Sequence, residues 1–224
     1  MDAALTHKRP GATLAVCTVL AGALGSTAVA AATLSVRLLQ TSGEPLVGAV
    51  VTVRSRGDAL SRREPVAAVV RQVKRAFVPD LLVVPVGSTV SFPNNDDVSH
   101  QVYSFAKPKR FQLPLYRGRP YPPVKFDTEG LVTVGCNIHD EMVGYILITA
   151  AHDFGITGSA GEWGASALAA GDYEIAVWHP RLREPAPSLT RHVQLGATDR
   201  GELSIRLMRP LQPAHLASHM QDDY

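Results

Sequence analysis

The sequence predicts an all-β protein in which short strands pack into sandwiches. Three observations support this fold class: runs that alternate between apolar and polar residues, β-branched residues concentrated in those runs, and Gly, Pro, Asn and Asp between them. The 224 residues are 46% hydrophobic and 19% charged, which is ordinary for a protein with a core. The formal net charge of +2 is too small to indicate binding to nucleic acid or to an anionic membrane surface.

Residues 1–30 have the pattern of a secretory signal peptide. A basic start precedes an apolar run over 12–23, and Ala28-Val29-Ala30 offers a small-residue cleavage site. We expect cleavage and a periplasmic mature protein. An uncleaved membrane anchor is the alternative, because the apolar stretch approaches the roughly 20 residues of a membrane span. Cleavage removes Cys17 and leaves Cys136 as the single cysteine of the exported chain.

The same alternation predicts strands along the rest of the chain. Residues 33–39 alternate with period two, and a Ser-Gly-Glu-Pro turn separates them from the β-branched run 47–53. The remaining predicted strands are 66–73, 81–86, 89–92, 101–105, 124–126, 131–134, 143–149, 171–178 and 203–207. The basic, Pro-rich segment 107–125 is interpreted as an irregular surface loop. The alternative is that its basic side chains bind an acidic partner.

These strands divide into two units. The strands near the N-terminus and those after residue 150 are too few to bury separate cores, so we predict that 33–60 and 151–210 form one discontinuous sandwich. A second sandwich over 66–150 is then inserted between its strands. The alternative is two domains in series, with 33–57 as an N-terminal extension of the first. The polar segment 211–224 lacks periodicity and is predicted to be a disordered tail.

One short loop carries three side chains that suit soft transition metals. Cys136, His139 and Met142 are spaced C-x2-H-x2-M, and His100 follows the Asn- and Asp-rich turn 94–97. Two imidazoles, a thiolate and a weak thioether are the ligand set of a blue-copper electron-transfer site. A lone thiol in an oxidising compartment is exposed to oxidation, and a bound metal protects it. Zinc is the alternative ion, although it gains little from a thioether.

Residues 77–149 resemble the cupredoxin family, with an amicyanin-like ligand loop. The residues that carry the resemblance are Phe77-Val78-Pro79, Gly87-Ser88-Thr89-Val90, Phe92, His100-Gln101-Val102, Phe126, Gly130, Cys136, His139, Met142, Gly144 and the final strand 145–149. The resemblance implies a Greek-key β-sandwich with one mononuclear type 1 copper site. The implied ligands are His100, Cys136, His139 and Met142, in a protein that is not an enzyme.

Residues 33–53 and 155–207 resemble the carboxypeptidase regulatory, or transthyretin-like, sandwich. This resemblance is carried by 48–53 and by Gly171-Asp172-Tyr173, with Trp178-His179-Pro180 after it. It implies a binding or spacer module fused to the copper unit. Chains of this layout are often labelled methylamine utilisation proteins, a label that itself depends on the amicyanin-like loop.

The sequence therefore predicts a periplasmic one-electron carrier whose partner is another redox protein, such as a c-type cytochrome or a dehydrogenase. The pairs Asp96-Asp97 and Asp140-Glu141 flank the two ligand loops and would steer a basic partner. Solvated turn charges are the alternative interpretation of these acids. Two other functions stay open, a protein that stores or delivers copper and an envelope binding module whose metal site is structural.

Overall fold

A computed structural model of the chain describes residues 31–57, 63–118 and 120–213. Within these ranges the protein is all-β, as the sequence predicts, and its single helical segment is a short 3-10 helix. The predicted signal peptide, 1–30, lies outside the described residues. No helical segment in the described ranges has the length and apolar character that a membrane crossing requires.

Seventeen strands make up the described chain. In chain order they are β1 (Ala32–Leu39), β2 (Val50–Ser55), β3 (Ala67–Val69), β4 (Arg71–Val73), β5 (Ala76–Val78), β6 (Leu81–Pro85), β7 (Ser88–Ser91), β8 (His100–Ser104), β9 (Phe111–Tyr116), β10 (Val124–Phe126), β11 (Gly130–Gly135), β12 (Val143–Thr149), β13 (Asp153–Ile156), β14 (Glu162–Leu168), β15 (Gly171–Trp178), β16 (Arg191–Leu195) and β17 (Arg200–Arg206). The 3-10 helix spans Ala186–Leu189, between β15 and β16.

Two sheets with the strand orders β14-β1-β17 and β13-β2-β15-β16 enclose one hydrophobic core. Alternation along β1 explains the packing, since Leu34 and Val36 are buried while their neighbours on the strand are exposed. These side chains belong to the same buried cluster as Val53 of β2, as in two sheets packed face to face. We call the strands within 32–55 and 153–206 the outer unit.

The strands between β2 and β13 enclose a second core. A five-stranded sheet with the order β6-β12-β11-β8-β9 packs against a three-stranded sheet with the order β10-β7-β3, and β4 and β5 form a separate hairpin. Val90 and Phe126 from the smaller sheet share a buried cluster with Val134 and Ile146 from the larger one. We call 67–149 the inner unit.

The strand pairing is what an inserted sandwich requires, because β1 and β2 pair with strands that follow the inner unit. The division into two domains and the transthyretin-like nature of the outer unit both stay predictions.

The two units meet through a small apolar cluster. Val50 of the outer unit packs with Leu81 and Tyr145 of the inner unit. The Tyr145 ring also lies against Trp178, with ring centroids 5.6 Å apart and an interplanar angle of 61°. On the exit side β12 ends at Thr149, so only three residues separate it from β13. The inner unit is therefore tied closely to the outer one on that side.

The prediction of an irregular loop over 107–125 is wrong for β9. Residues Phe111–Tyr116 pair antiparallel with β8 and form the edge of the five-stranded sheet. Pro114 hides this strand in the sequence, because proline cannot donate a ladder hydrogen bond, but an edge strand tolerates it. In this pairing Tyr116 lies opposite His100, so the missed strand borders a predicted metal ligand.

Two further boundaries differ from prediction. The single strand expected over 66–73 is divided at Val70 into β3, which pairs with β7, and β4, which turns back on β5. The predicted tail, 211–224, begins too early, because Leu211 packs on the outer core and the Gln212 amide donates to the Arg181 carbonyl. Residues 214–224 lie outside the described residues.

Candidate metal centre

Three of the four predicted ligands converge at one end of the inner unit. The Nδ1 atoms of His100 and His139 are 3.2 Å apart. The Cys136 Sγ lies 3.9 Å from the first of these nitrogens and 3.8 Å from the second. Metal–nitrogen bonds of about 2.0 Å and metal–sulfur bonds of about 2.3 Å span a triangle of this size. The donor set therefore fits a single metal ion.

The loop between β11 and β12 provides two of these donors. Cys136 follows the last residue of β11, and the His139 amide donates to its carbonyl at 3.4 Å. The Met142 amide then donates to the His139 carbonyl at 2.9 Å. In such tight turns, residues three apart lie on the same side of the chain. The C-x2-H-x2-M spacing therefore suits side chains that must face one point.

Met142 is buried just before β12, with 1% of its surface exposed, in the same apolar cluster as Cys136. Two residues later, a Cβ at Gly144 would lie 3.2 Å from both Phe77 and Val134. This close packing holds the start of β12 against the rest of the core. The predicted role of Met142 as a weak axial ligand stays a prediction.

The ligands differ in their access to solvent. His100 is fully buried and Cys136 is 3% exposed, whereas His139 is only partly buried. Ile138, between the two loop ligands, is 51% exposed. The exposed face of the centre is therefore the 137–141 segment, within which His139 is the partly exposed ligand.

Asp96 orients the buried histidine. Its Oδ2 lies 2.7 Å from His100 Nε2, and only 10% of its side chain is exposed. Burial alone would raise the pKa of Asp96, but hydrogen bonds from two backbone amides and from His100 lower it below the ordinary value. The prediction that Asp96 belongs to a solvent-facing acidic rim is therefore wrong, whereas Asp97, Asp140 and Glu141 are exposed.

The turn before β8 is shaped by Asn94, which is 6% exposed. Its Oδ1 accepts from the Asp96 amide, and its Nδ2 donates to the carbonyls of Val98 and Tyr116, each at 2.9 Å. This side-chain closure of a turn is typical of Asn. Our sequence interpretation assigned no role to Asn94, although its place two residues before Asp96 was a usable signal.

Tyr116 lies beside the centre on the missed strand β9. Its hydroxyl donates to the Phe92 carbonyl and receives a hydrogen bond from Gln72 Nε2 at 2.5 Å. Burial raises its pKa to about 12, against the opposing effect of the Gln72 hydrogen bond, and the nearby Cys136 adds to the rise. Tyr116 is thus a fixed, neutral wall of the centre.

One histidine of the outer unit, His179, has a different environment. His179 Nδ1 accepts a hydrogen bond from the Arg181 amide at 3.1 Å. Burial and the charge of Arg181 lower its pKa to about 4, although Asp80 opposes this shift. Within the described ranges, His179 is not part of a group of three metal-ligating side chains.

No protein-family model matches this chain, and no curated protein matches it. A solved structure of a copper-containing nitrite reductase from Thermus scotoductus is 27% identical, over 43% of this chain and 25% of that one, with a TM-score of 0.35. A purple cupredoxin from Nitrosopumilus maritimus is 25% identical, over 37% of this chain and 99% of its own, with a TM-score of 0.33. A reduced amicyanin mutant is 21% identical, over 44% and 99%, with a TM-score of 0.34.

This chain spans about a quarter of the length of that nitrite reductase, and each likeness covers less than half of this chain. The TM-scores are all below 0.5. The metal centre is accordingly inferred from the donor geometry of the described residues.

Proposed function

We propose that this protein binds one copper ion in a type 1 site and acts as a one-electron carrier. The observation that carries the proposal is the convergence of two imidazole nitrogens and one cysteine sulfur, at separations of 3.2 to 3.9 Å. Thiolate and thioether ligands favour Cu(I), and imidazole suits Cu(II). Calcium and magnesium prefer oxygen ligands, which this donor set does not offer.

The ligand residues are His100, Cys136 and His139, with Met142 as the weak fourth ligand. Copper would supply a centre that gains and loses one electron at this point. The protein keeps the ligands in place during that change, because His100 is the first residue of β8 and Cys136 directly follows β11. These two strands are neighbours in the five-stranded sheet. Similar ligand positions in both oxidation states lower the reorganisation that accompanies electron transfer.

Electrons would enter and leave at the exposed 137–141 segment. Asp140 and Glu141 are exposed on this segment and favour a partner with a basic surface, in the class of c-type cytochromes or dehydrogenases. The signal-like residues 1–30 support a periplasmic location for this exchange, where a metal would also protect the lone thiol of Cys136.

The test is to load the protein from residue 31 onwards with Cu(II) and to measure its visible spectrum. We expect an intense thiolate-to-copper charge-transfer band that is lost in Cys136→Ser and in His139→Ala. His179→Ala is the matched control, because it removes a histidine outside the centre and should keep the band.

An absent band, or a band that survives Cys136→Ser, would contradict a type 1 site. Reversible one-electron oxidation and reduction then separates the carrier from a protein that only stores or delivers copper. A chain that binds copper but does not cycle would support storage or a structural site instead.

A further inference from the structure

The carboxylate of Asp96 has three hydrogen-bond donors in contact with its two oxygens. The Lys74 amide donates to Oδ1, whereas the Arg75 amide, at 2.8 Å, and His100 Nε2, at 2.7 Å, both contact Oδ2. Three donors need an acceptor with two oxygens, which a carboxylate offers and an amide side chain does not. The chemistry of the position therefore calls for Asp rather than Asn.

The two amides come from a turn whose backbone is bent to present them. Lys74 and Arg75 join β4 to β5 with φ angles of 53° and 60°, so both lie in the left-handed region that costs non-glycine residues energy. Successive amides in such a turn form a site for an anion. Asp96 fills that site, so the turn fixes the carboxylate that also contacts His100.

We infer that Asp96 is a positioning residue of the metal centre, which holds the His100 proton on Nε2 and leaves the Nδ1 lone pair directed at the metal. The tautomer follows from the contact, because a carboxylate accepts from Nε2 and cannot donate to it. Nδ1 is then the free acceptor, and it is the nitrogen that converges with His139 and Cys136. Such outer partners orient metal-binding histidines and raise their basicity.

The negative charge of Asp96 has a second effect, which depends on the proposed copper function. A partly buried anion next to a ligand stabilises Cu(II) more than Cu(I), because the attraction grows with the charge of the ion. Asp96 therefore lowers the reduction potential of the centre. It also couples that potential to the exposed Lys74–Arg75 turn, which holds the carboxylate in place.

The first experiment needs no copper. Nitrogen-15 NMR of the histidine rings in metal-free protein, at about pH 8, reports which nitrogen of each neutral ring carries the proton. We expect His100 in the wild type to be protonated on Nε2, and Asp96→Asn to shift the proton towards Nδ1. Asp97→Asn is the matched control, because it removes the same charge from an exposed neighbour and should leave the tautomer unchanged.

The second experiment compares copper binding in the same three proteins. Loss of an outer partner weakens metal affinity by about 10- to 100-fold, and we expect this for Asp96→Asn but not for Asp97→Asn. The loss should be larger for Cu(II) than for Cu(I), so the reduction potential should rise. A tenfold difference between the two losses corresponds to about 59 mV.

The outcomes separate the two proposals. A wild type without the charge-transfer band contradicts the copper function, while the tautomer measurement still decides the role of Asp96. A wild type in which His100 is protonated on Nδ1 overturns the inference, even if Asp96→Asn fails to fold. It is also overturned if the wild type shows the band and Asp96→Asn behaves like Asp97→Asn in tautomer, affinity and potential.

Discussion

The inner and outer units are built alike but differ in what their buried polar side chains do. Both pack two sheets over a core of alternating apolar residues. In the inner unit Gln72 and Asn94 bond to backbone carbonyls, whereas the buried His100 has a ring nitrogen that faces other metal-ligating side chains. In the outer unit Thr157 and Glu184 bond to backbone groups. Bonds to backbone stabilise a turn, whereas a buried nitrogen facing other ligand-type atoms indicates a binding site.

Two histidines, one from each unit, differ in the hydrogen-bond partner of the imidazole ring. His100 and His179 lie at the start and just past the end of a strand, and both have a hydrogen bond that fixes one ring nitrogen. His100 bonds to a carboxylate through Nε2 and keeps Nδ1 for the site. The corresponding Nδ1 of His179 accepts from the Arg181 amide. The partner of the ring, rather than the burial of the residue, decides whether it can bind a metal.

The largest expected effect is a loss of stability caused by one substitution in the outer unit. Gly161 has a φ of +69°, and a Cβ there would lie 2.5 Å from the Leu38 carbonyl oxygen. We expect Gly161→Ala to lower the free energy of unfolding by about 2–4 kcal/mol, from the left-handed backbone and the steric overlap together. Thermal and denaturant unfolding measure this loss.

Gly158→Ala is the control for that variant, because a Cβ at Gly158 meets nothing within 4 Å. It should change stability by less than about 1 kcal/mol. Folded Gly161→Ala should still show the copper band of the wild type. Loss of the band in folded Gly161→Ala would mean that the metal centre of the inner unit depends on the outer unit.

A smaller effect concerns acid stability and arises from His179. Its pKa is about 4 in the folded protein, below the ordinary value of 6.5, so the unfolded chain binds more protons between these values. Its contribution is therefore complete above about pH 6.5 and falls as the pH drops towards 4. After allowance for its partial exposure, we expect a loss of about 1–2 kcal/mol over that range.

Denaturant unfolding of metal-free protein between pH 4 and 7 measures this slope. His179→Gln should flatten it, whereas the same change at the exposed His192 should leave it as in the wild type. Equal slopes in all three proteins would contradict the lowered pKa of His179 in the folded protein.

The smallest effect sharpens the description of the inner unit. Arg75→Gly removes the cost of a left-handed φ but keeps the amide that donates to Asp96. We expect a gain in unfolding free energy of about 0.5–1 kcal/mol with no change of the His100 tautomer. Arg71→Gly, in the adjoining strand β4, should instead destabilise the protein by a similar amount. A changed tautomer in Arg75→Gly would show that the arginine side chain, and not its amide, orients Asp96.

Sequence patterns predicted the strands whose alternation is strong, such as β1, β12 and β15, because one face of each is buried. They missed β5, β13 and β16, and also β9, whose Pro114 interrupts the pattern, and β14, whose Gly and Ala residues have low strand propensity. β14 forms by pairing with β1, which is distant in sequence, whereas β9 forms by pairing with β8, the strand just before it.

The candidate site could be proposed from the sequence because its residues combine a specific spacing with a specific order. The C-x2-H-x2-M spacing together with His100 after a polar turn led to the prediction, and the structure brings Cys136, His139 and His100 together. The role of Asp96 was missed, because the direction of its side chain depends on the backbone of the Lys74–Arg75 turn. No local pattern specifies two non-glycine residues with positive φ.

The three-residue connection between β12 and β13 has a mechanical consequence. The ligand loop leads directly into β12, and β12 leads through Ala150-Ala151-His152 into the outer unit. Ala151 is 1% exposed, and the Ala150 amide is held by Glu129 at 3.1 Å, so the connection is braced at two points. A force applied to the outer unit would reach the candidate ligand loop along β12 as well as across the apolar contact of Val50 with Leu81 and Tyr145. The visible spectrum of the proposed copper centre would then report strain that a tether applies to the outer unit.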